Sequence, residues 1–374
     1  MEPAASAQAQ SRHGLAFFIN VLWSWLGVAV NLFVGLVLQP YIIRKLGVER
    51  YGIWALVFAL LDYLWFFDLG FNTAVTNFTA RYLAKGENDK INDVINTALF
   101  YFSAVSIAIA GLTFFLSTRV DRFFQVRPEH VGDFVQLIRV TGFSWAAFVL
   151  LHIFTSCLDG FQRFDLTSRA WVTTLVIRSI GSVLMLRAGY GLVEMGWVFV
   201  AAQAAGYFIN FLSFRGAFPP LRLSPVHVKF SMIRQMANYG IHSFLGNAGN
   251  LLLNQSAPVL IGHFLPTSFV GFYSLPSRIL QYAVDAVSRV ALVTRSNAAE
   301  LEATGRKDSV LWLGIYSNRY CFALFAPLTI FLLTYGTELI RLWISPEVAE
   351  HSAPLLPILA PVIALVMAGQ YNSS

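Results

Sequence analysis

Residues 39–89 read QPYIIRKLGVERYGIWALVFALLDYLWFFDLGFNTAVTNFTARYLAKGEND, and the rest of the chain can be interpreted from this stretch. An apolar helix is predicted to end near Pro40, and a short basic turn follows over 44–50. A second apolar helix is predicted from Tyr51 to Arg81. The stretch therefore predicts a helical hairpin whose two arms are joined by a charged turn.

The same spacing of proline, glycine and aspartate residues recurs in the second half of the chain. The tripeptide Ala-Thr-Gly at 303–305 follows Ala-Lys-Gly at 84–86 with a shift of 219 positions (303 minus 84). Three further correspondences, the last of them within one residue, have the same spacing: Gly271 with Gly52, Asp308 with Asp89, and Pro258 with Pro40. Two hairpins with these residues at matching positions indicate a duplicated unit.

The composition is typical of a membrane protein. Apolar residues make up 56% of the chain and charged residues 12%, and the mean hydropathy is +0.61. Because a soluble domain has about 25% charged residues, this chain lacks the polar residues that a water-facing surface requires. Its apolar runs reach the roughly 20 residues that a spanning helix needs. We therefore predict an all-α polytopic membrane protein.

Ten transmembrane helices are predicted, at 15–43, 51–79, 92–116, 134–157, 170–188, 192–214, 237–262, 270–294, 309–334 and 353–372. They form an N-terminal six-helix lobe (1–214), a connector (215–236) and a C-terminal lobe (237–374) with four helices. Because six is an even number, both repeats enter the membrane from the same side, related by an axis along its normal. This symmetry calls for two more helices, so the second lobe is interpreted as truncated.

The basic residues of the loops predict the orientation. The net charge is +6, and the Lys and Arg residues are scattered through short loops, which indicates loop bias and no nucleic-acid partner. With the N-terminus in the cytoplasm, the cytoplasmic segments hold 14 Lys and Arg and the outer segments hold 9. From residue 215 onward the ratio is 8 to 1. The predicted location is the bacterial cytoplasmic (inner) membrane, with a cytoplasmic N-terminus.

The connector is predicted to contain a short amphipathic helix on the cytoplasmic leaflet. Ser224 and Pro225 form a favourable helix start. Val226, Phe230 and Ile233 then follow at i, i+4 and i+7, which places them on one apolar face. An ordinary basic loop is the alternative.

Charged residues inside apolar runs are the first candidates for a substrate site, because charges in a membrane usually face a cavity or a partner. Three arginines interrupt spans five, eight and nine: Arg178, Arg278 and Arg319. One face of span eight carries four polar residues at i, i+4, i+7 and i+11: Arg278, Tyr282, Asp285 and Arg289. This face suits an anionic headgroup, which Arg can bind by paired hydrogen bonds. An internal Arg–Asp pair that joins helices is the alternative.

Span seven carries a matching polar stripe. Ser243 begins it, and the amides of Asn247, Asn250 and Asn254 continue it at the same spacing. These amides are predicted either to line an aqueous cleft or to hydrogen-bond neighbouring helices. Three carboxylates within spans are candidates for ion coupling or for structural hydrogen bonds: Asp62, Asp68 and Asp285.

Sequence motifs for catalysis are not found. The chain has no GxxxxGK[ST], HExxH or GxSxG pattern, and Cys157 and Cys321 are far apart in sequence. We therefore predict no enzyme activity, catalytic residue, metal site or cofactor.

The hairpin resembles the polysaccharide (oligosaccharide) flippase family, the Wzx-like branch of the multidrug/oligosaccharidyl-lipid/polysaccharide exporter superfamily. The residues that carry the resemblance are Pro40, LGVERYGIW at 46–54, DLG at 68–70 and RYLA at 81–84. The resemblance covers the whole chain in pattern and is strongest over residues 36–90.

The resemblance implies two helical lobes around a cavity that opens to one side at a time. It implies translocation of an undecaprenyl-pyrophosphate-linked oligosaccharide to the outer leaflet, for surface polysaccharide biosynthesis. The expected partners are this lipid-linked oligosaccharide and membrane lipids, and a polysaccharide polymerase and glycosyltransferases are further candidates. On this interpretation the arginines within the spans of this chain would bind the pyrophosphate.

Three alternatives stay open at this point. A cation-coupled multidrug exporter of the same superfamily would have an acidic cavity, against which the three arginines argue. A membrane glycosyltransferase or polymerase would need a large outer loop with catalytic acids, and the predicted outer loops are short. A non-transporting or truncated component of a polysaccharide assembly system is the third.

The predicted orientation is tested by cysteine-accessibility labelling. Single cysteines placed at Lys85 and Arg306 should react only from the cytoplasmic side, and those placed at Arg122 and Glu347 only from outside. The opposite labelling pattern would reverse the orientation and the direction of transport.

Overall fold

The computed structural model of the protein describes residues 32–284 and 307–362, and every regular element in these ranges is a helix. The α-helices are α1 (32–46), α2 (Val48–Tyr63), α3 (Phe71–Ala84), α4 (Asn88–Ser117), α5 (Val120–Phe123), α6 (Pro128–Gly160), α7 (Phe164–Arg187), α8 (Leu192–Ala217), α9 (Phe230–Phe264), α10 (267–284), α11 (Lys307–Trp343), α12 (Pro346–Ser352) and α13 (356–362). Short 3-10 helices cover Leu64–Asp68, Pro225–His227 and Ala353–Leu355.

Six segments of the described ranges are long and apolar enough to cross a membrane. They are Val48–Asp68, Asn88–Ser117, Pro128–Gly160, Phe164–Arg187, Leu192–Ala217 and Trp312–Trp343. Five of them correspond to predicted spans two to six, and the last corresponds to predicted span nine. The helix α9 covers predicted span seven, and predicted spans one, eight and ten each extend into residues outside the described ranges.

The turn of the hairpin lies later in the chain than predicted. Helix α1 does not end near Pro40 but continues through it to residue 46. Gly47 then takes a φ of 82°, a conformation that glycine adopts without strain, and α2 begins at Val48. A proline terminates a helix only when the preceding turn cannot tolerate its ring, so its presence alone does not mark the end.

The second predicted span is not one helix, as the sequence suggested, but two. The 3-10 helix after α2 ends at Asp68, and the next two residues are left-handed, with a φ of 48° at Leu69 and 77° at Gly70. Helix α3 starts at Phe71. The hydropathy of the span does not reveal this break, because hydropathy does not report backbone conformation.

The backbone of α9 packs directly on this break. A Cβ atom added to Gly240 would lie 2.6 Å from the carbonyl oxygen of Gly70, and a Cβ on Gly70 would collide with Gly240 in the same way. Aromatic pairs flank the contact, with ring centroids 6.0 Å apart for Phe66 and Phe244 and 5.9 Å for Phe78 and Tyr239. The two glycines therefore allow an approach that no larger side chain permits.

The chain forms two compact units. The first comprises Leu56–Pro266 together with the described part of Met1–Ile42. Its core is built mainly by α4, α6, α7 and α8. The second comprises Ile43–Ala55 and the described part of Thr267–Ser374. It contains small apolar clusters around Leu280, Leu332 and Ala360. The predicted lobes at 1–214 and 237–374 remain a prediction.

The connector contains less helix than predicted. Ser224 caps only the three-residue 3-10 helix, with its hydroxyl accepting from the amide of Val226 at 3.5 Å, and Val228 and Lys229 are extended. Phe230 already belongs to α9. The extended segment is held by side chains of α4, which explains why its apolar periodicity does not produce one helix. Its location on the cytoplasmic leaflet remains a prediction.

Side chains on one face of α4 bind the connector backbone as a neighbouring strand would. The Asn92 amide donates to the Pro220 carbonyl at 3.1 Å and accepts from the amide of Arg222 at 2.8 Å. One turn later, Asn96 donates to the Arg222 carbonyl and accepts from the amide of Ser224, both at 2.8 Å.

Two further contacts join α4 to the connector. The hydroxyl of Thr97 accepts from the amide of Lys229 at 3.0 Å, and His227 Nδ1 lies 2.7 Å from the Asp93 carboxylate. The connector is thus fixed to the first unit along its length.

The glycine contact between α3 and α9 predicts a difference between two alanine variants of α9. Gly240→Ala should lower the stability by about 1–3 kcal/mol, because the methyl group cannot be accommodated without moving backbone. Gly249→Ala is the matched control, since no atom lies within 4 Å of its added Cβ. It should be neutral or stabilising by up to about 1 kcal/mol. Thermal melting of the detergent-solubilised proteins measures the difference, and equal melting temperatures would contradict the packing.

Candidate functional site

Asp68 forms the centre of a polar network at the helix break. Its carboxylate accepts from the backbone amide of Asn72 at 3.1 Å and from the Asn72 side-chain amide at 2.6 Å. The Ser156 hydroxyl on α6 donates to the Asn72 side-chain oxygen at 2.8 Å. The Thr76 hydroxyl donates to the Ser156 carbonyl at 3.0 Å. Asp68 therefore caps the first turn of α3 and helps to join it to α6.

Asp62, which precedes the helix break in α2, has a different partner. The Gln255 side-chain amide donates to its carboxylate at 2.8 Å, and the neighbouring Tyr63 hydroxyl lies 3.0 Å from the Ser256 hydroxyl. These bonds tie α2 to α9 inside the first unit. Gln255, the residue after the last member of the predicted stripe on α9, thus binds the carboxylate that the sequence places in span two.

The rest of the stripe on α9 is more open. Asn247 and Asn254 are exposed and Ser243 is half-buried, whereas the side chain of Asn250 lies outside the described residues. The exposure of Asn247 and Asn254 is compatible with the predicted cleft. The structure does not test whether they line such a cleft.

The predicted arginines are distributed over both units. Arg278 is exposed on α10, and its guanidinium carbon lies 6.0 Å from the centroid of the Tyr282 ring. This pair, predicted from the i, i+4 spacing, is adjacent in the structure. Arg319 is exposed on α11, while Arg178 is half-buried on α7 in the first unit. The two remaining members of the span-eight face, Asp285 and Arg289, lie outside the described residues.

A histidine on α6, His152, lies in an aromatic cluster of the first unit. The ring of His152 is 5.1 Å from that of Trp65 and 5.9 Å from that of Tyr207, both edge to face. Its Nδ1 is buried, and no described residue hydrogen-bonds to it. The positions come from three separate segments, so no local motif could have predicted the cluster.

Within the described residues there is no group of three or more His, Cys, Asp or Glu side chains that could hold a metal ion. Both cysteines are buried, and neither forms a disulfide within the described residues. The described polar side chains of the candidate site are amides, hydroxyls, carboxylates and guanidinium groups, which supply hydrogen bonds and charge.

The sequence matches a known family over most of its length. Residues 17–292 match the model of a family described as "Polysaccharide biosynthesis protein". Among curated proteins, the chain is 18% identical to the "Putative O-antigen transporter" of Shigella flexneri over 348 residues, covering 91% of this chain and 79% of that protein. It is 24% identical to the uncharacterized membrane protein EpsK of Bacillus subtilis (strain 168), covering 95% of this chain and 70% of that protein.

The fold is also found among solved structures. One described as the inward-facing conformation of a multidrug resistance MATE family transporter of the MOP superfamily aligns with a TM-score of 0.76 at 14% identity. The alignment covers 93% of this chain and 80% of that chain. Together with the candidate spans, this likeness confirms the predicted all-α polytopic membrane fold, and the family match confirms the predicted resemblance.

The network around Asp68 predicts the effect of removing Asn72. Asn72→Ala deletes the donor to Asp68 and the acceptor for Ser156, so it should lower stability by about 1–3 kcal/mol. Asn77→Ala on the same helix is the control, because Asn77 is exposed, and it should change stability by less than about 0.5 kcal/mol. Thermal melting in detergent compares the two, and an unchanged melting temperature for Asn72→Ala would contradict the role of the Asn72 side chain in joining Asp68 to α6.

Proposed function

The chain belongs to the family of polysaccharide biosynthesis proteins, and on this basis we propose that it moves a lipid-linked oligosaccharide across the cytoplasmic membrane for surface polysaccharide biosynthesis. The family match over residues 17–292 is the observation that carries the proposal. The name of the Shigella relative, which assigns it O-antigen transport, supports the same substrate class. The proposed cargo is an oligosaccharide on undecaprenyl pyrophosphate.

The side chains suit such a cargo. A pyrophosphate is a compact anion that exposed guanidinium groups bind with paired hydrogen bonds. Arg278 is exposed beside Tyr282, whose ring offers a surface for a sugar, and Arg319 is exposed on α11. We assign the pyrophosphate to these arginines, with Arg289 and Arg178 as further proposed ligands. The exposed amides Asn247 and Asn254 have the donors and acceptors that sugar hydroxyls require, and Asn250 is proposed to act with them.

The carboxylates fit a structural role better than a binding role for this cargo. Asp62 and Asp68 each accept hydrogen bonds from neighbouring side chains, and both would repel a pyrophosphate. If an ion drives transport, it would have to displace or share these bonds. We retain Asp62, Asp68 and Asp285 as proposed coupling residues.

The proposed orientation in the membrane follows from the distribution of Lys and Arg among the loops. The N-terminus and the connector would face the cytoplasm, where a lipid-linked oligosaccharide is assembled. The protein would act without covalent chemistry, beside the glycosyltransferases that supply its cargo and the polymerase that uses it.

A multidrug exporter is the second candidate, because the fold is that of a multidrug resistance MATE transporter. A cationic drug would favour a net acidic site. The exposed arginines on α10 and α11 argue for an anionic cargo, and export of a cationic dye by the purified protein would reverse this preference.

Arg278 provides the test of the substrate site. Arg278→Ala should reduce polysaccharide export at least about tenfold, as expected when a charge-assisted hydrogen bond worth about 1.5–3 kcal/mol is lost. Arg278→Lys should restore only part of the activity, because a point charge cannot form the paired bonds. Export is measured in a strain that lacks the chromosomal gene and carries each variant.

Arg341→Ala is the matched control, since Arg341 is an exposed arginine at the end of α11, away from the proposed ligands in sequence. It should export normally. Normal export by Arg278→Ala at equal membrane levels would reject the anion-binding role and leave only a structural one.

A further inference from the structure

The connector presents exposed apolar side chains beside an exposed cation. Val226 and Phe230 are 77% and 72% exposed, and Leu223 is 52% exposed. The ring of Phe100 on α4, which is 49% exposed, lies 5.8 Å from the ring of Phe230. The Lys229 ammonium donates to the Val226 carbonyl at 3.4 Å, which places its charge beside these side chains. We call these five residues the connector surface.

The connector is strongly basic. It carries four Lys and Arg side chains, all of them exposed and none paired with a carboxylate of the described residues: Arg215, Arg222, Lys229 and Arg234. The sequence has no Asp or Glu from residue 195 to residue 284. At the start of α4, Asp93 lies 2.7 Å from His227 Nδ1, and Asp89 is exposed. Glu87 lies 3.0 Å from the Lys90 ammonium. The connector therefore offers an excess of positive charge.

The contacts with α4 place the connector surface at the edge of the membrane. Residues 98–117 of α4 include no charged residue, and this run has the length of about 20 that a spanning helix needs. The preceding turns, 88–97, carry Asp, Lys and Asn residues. Thr97, at the boundary, accepts from the Lys229 amide at 3.0 Å, and Phe100 contacts Phe230 just inside the apolar run. The connector surface thus lies at the level where the hydrocarbon ends and the lipid headgroups begin.

We propose that the connector surface binds anionic phospholipids of the leaflet that it faces, with the connector cations on the phosphate groups and the apolar side chains among the first acyl carbons. This inference goes beyond the proposed transport function and holds for any cargo. Apolar side chains at headgroup level gain free energy by entering the bilayer, and each nearby Lys or Arg adds an attraction to anionic lipid. A soluble anion would leave Val226 and Phe230 in water, so the surface fits a lipid better. The predicted orientation makes this leaflet the cytoplasmic one.

The surface is already formed before a lipid binds. Asn92 and Asn96 hold the connector backbone extended through hydrogen bonds of 2.8–3.1 Å, so no helix has to fold on binding. A preorganised surface loses little conformational entropy when it is occupied. The lipid would therefore bind the first unit as a rigid body and stabilise it.

The first test measures insertion of the connector surface directly. Val226→Cys is introduced into a variant in which Cys157 and Cys321 are replaced by alanine, and the new cysteine is labelled with an environment-sensitive fluorophore. The labelled protein is placed in nanodiscs of phosphatidylcholine, with or without phosphatidylglycerol. Quenching by a lipid with a nitroxide near its headgroup should increase at least about twofold when phosphatidylglycerol is present, because anionic lipid draws the surface into the bilayer.

Charge variants decide whether the connector cations cause this increase. Arg222→Gln with Lys229→Gln should remove most of it, and so should high salt, which screens exposed charges. Arg122→Gln with Arg187→Gln is the matched control, because it removes two exposed arginines, one just after α4 and one just before α8, and it should leave the increase unchanged. Equal quenching in both lipid compositions overturns the proposal, since the surface would then be covered by another segment of the chain or by a second copy, or would insert without a preference for charge.

The second test measures lipid binding in detergent. Phosphatidylglycerol should raise the melting temperature more than phosphatidylcholine does at the same concentration, because a ligand of the folded state stabilises it. Val226→Ser with Phe230→Ser should remove at least about half of this difference, because the acyl chains lose their apolar partners. Both side chains are exposed, so the melting temperature without lipid should change little.

If the double serine variant does not fold, Val226→Ser alone replaces it, with a smaller loss expected. The proposal is overturned by an equal melting shift with either lipid, or by a shift that neither the charge variant nor the serine variant reduces. Neither test measures export, so a chain that fails to export polysaccharide would contradict the proposed function and leave this inference to be decided by its own measurements.

Discussion

A chain that crosses a membrane has to satisfy its own backbone hydrogen bonds, because hydrocarbon offers none. This constraint explains where the polar side chains of the first unit lie. At the break after Asp68 the helix ladder is interrupted inside a predicted span, and the freed groups receive side-chain partners. The Tyr101 hydroxyl donates to the Phe67 carbonyl at 2.7 Å, and Asp68 accepts from the amide of Asn72. The break is stable because α4 and α6 complete it.

Side chains also hydrogen-bond to free backbone groups in the connector, where the chain is not α-helical. The connector is extended between α8 and α9, and an extended segment outside a sheet has backbone amides and carbonyls without the partners that a neighbouring strand would supply. Asn92 and Asn96 each carry both a donor and an acceptor, so that one side chain replaces both hydrogen bonds of a neighbouring strand. The first unit therefore includes the connector as a fixed part, and movement in a transport cycle would have to occur elsewhere.

The sequence predicts the helices but not the side-chain contacts between them. Composition and periodicity identify predicted spans two to seven, which contain α2 with α3, then α4 and α6 to α9, because a spanning helix must be long and apolar. The repeat shift identifies Gly52 and Gly271, because both positions have the same steric requirement. The partners of Asp62 and His152 come from helices distant in sequence, and a single sequence does not reveal such pairs. The break at Leu69 was missed because its signal is one glycine in an apolar run, which also occurs in continuous helices.

The repeats are alike where they pack and unlike where they would bind. Gly52 and Gly271, which are equivalent under the repeat shift, approach each other closely in the second unit, and Tyr63 and Tyr282 are equivalent positions as well. Arg278 has no such counterpart, since its equivalent in the first repeat is the buried Ala59. A lipid-linked oligosaccharide has one charged head and one chain of sugars, so a symmetric site would match it poorly. Under the proposed function, Arg278 would supply a cation that the equivalent position of the first repeat lacks, which suits a cargo with a single charged head.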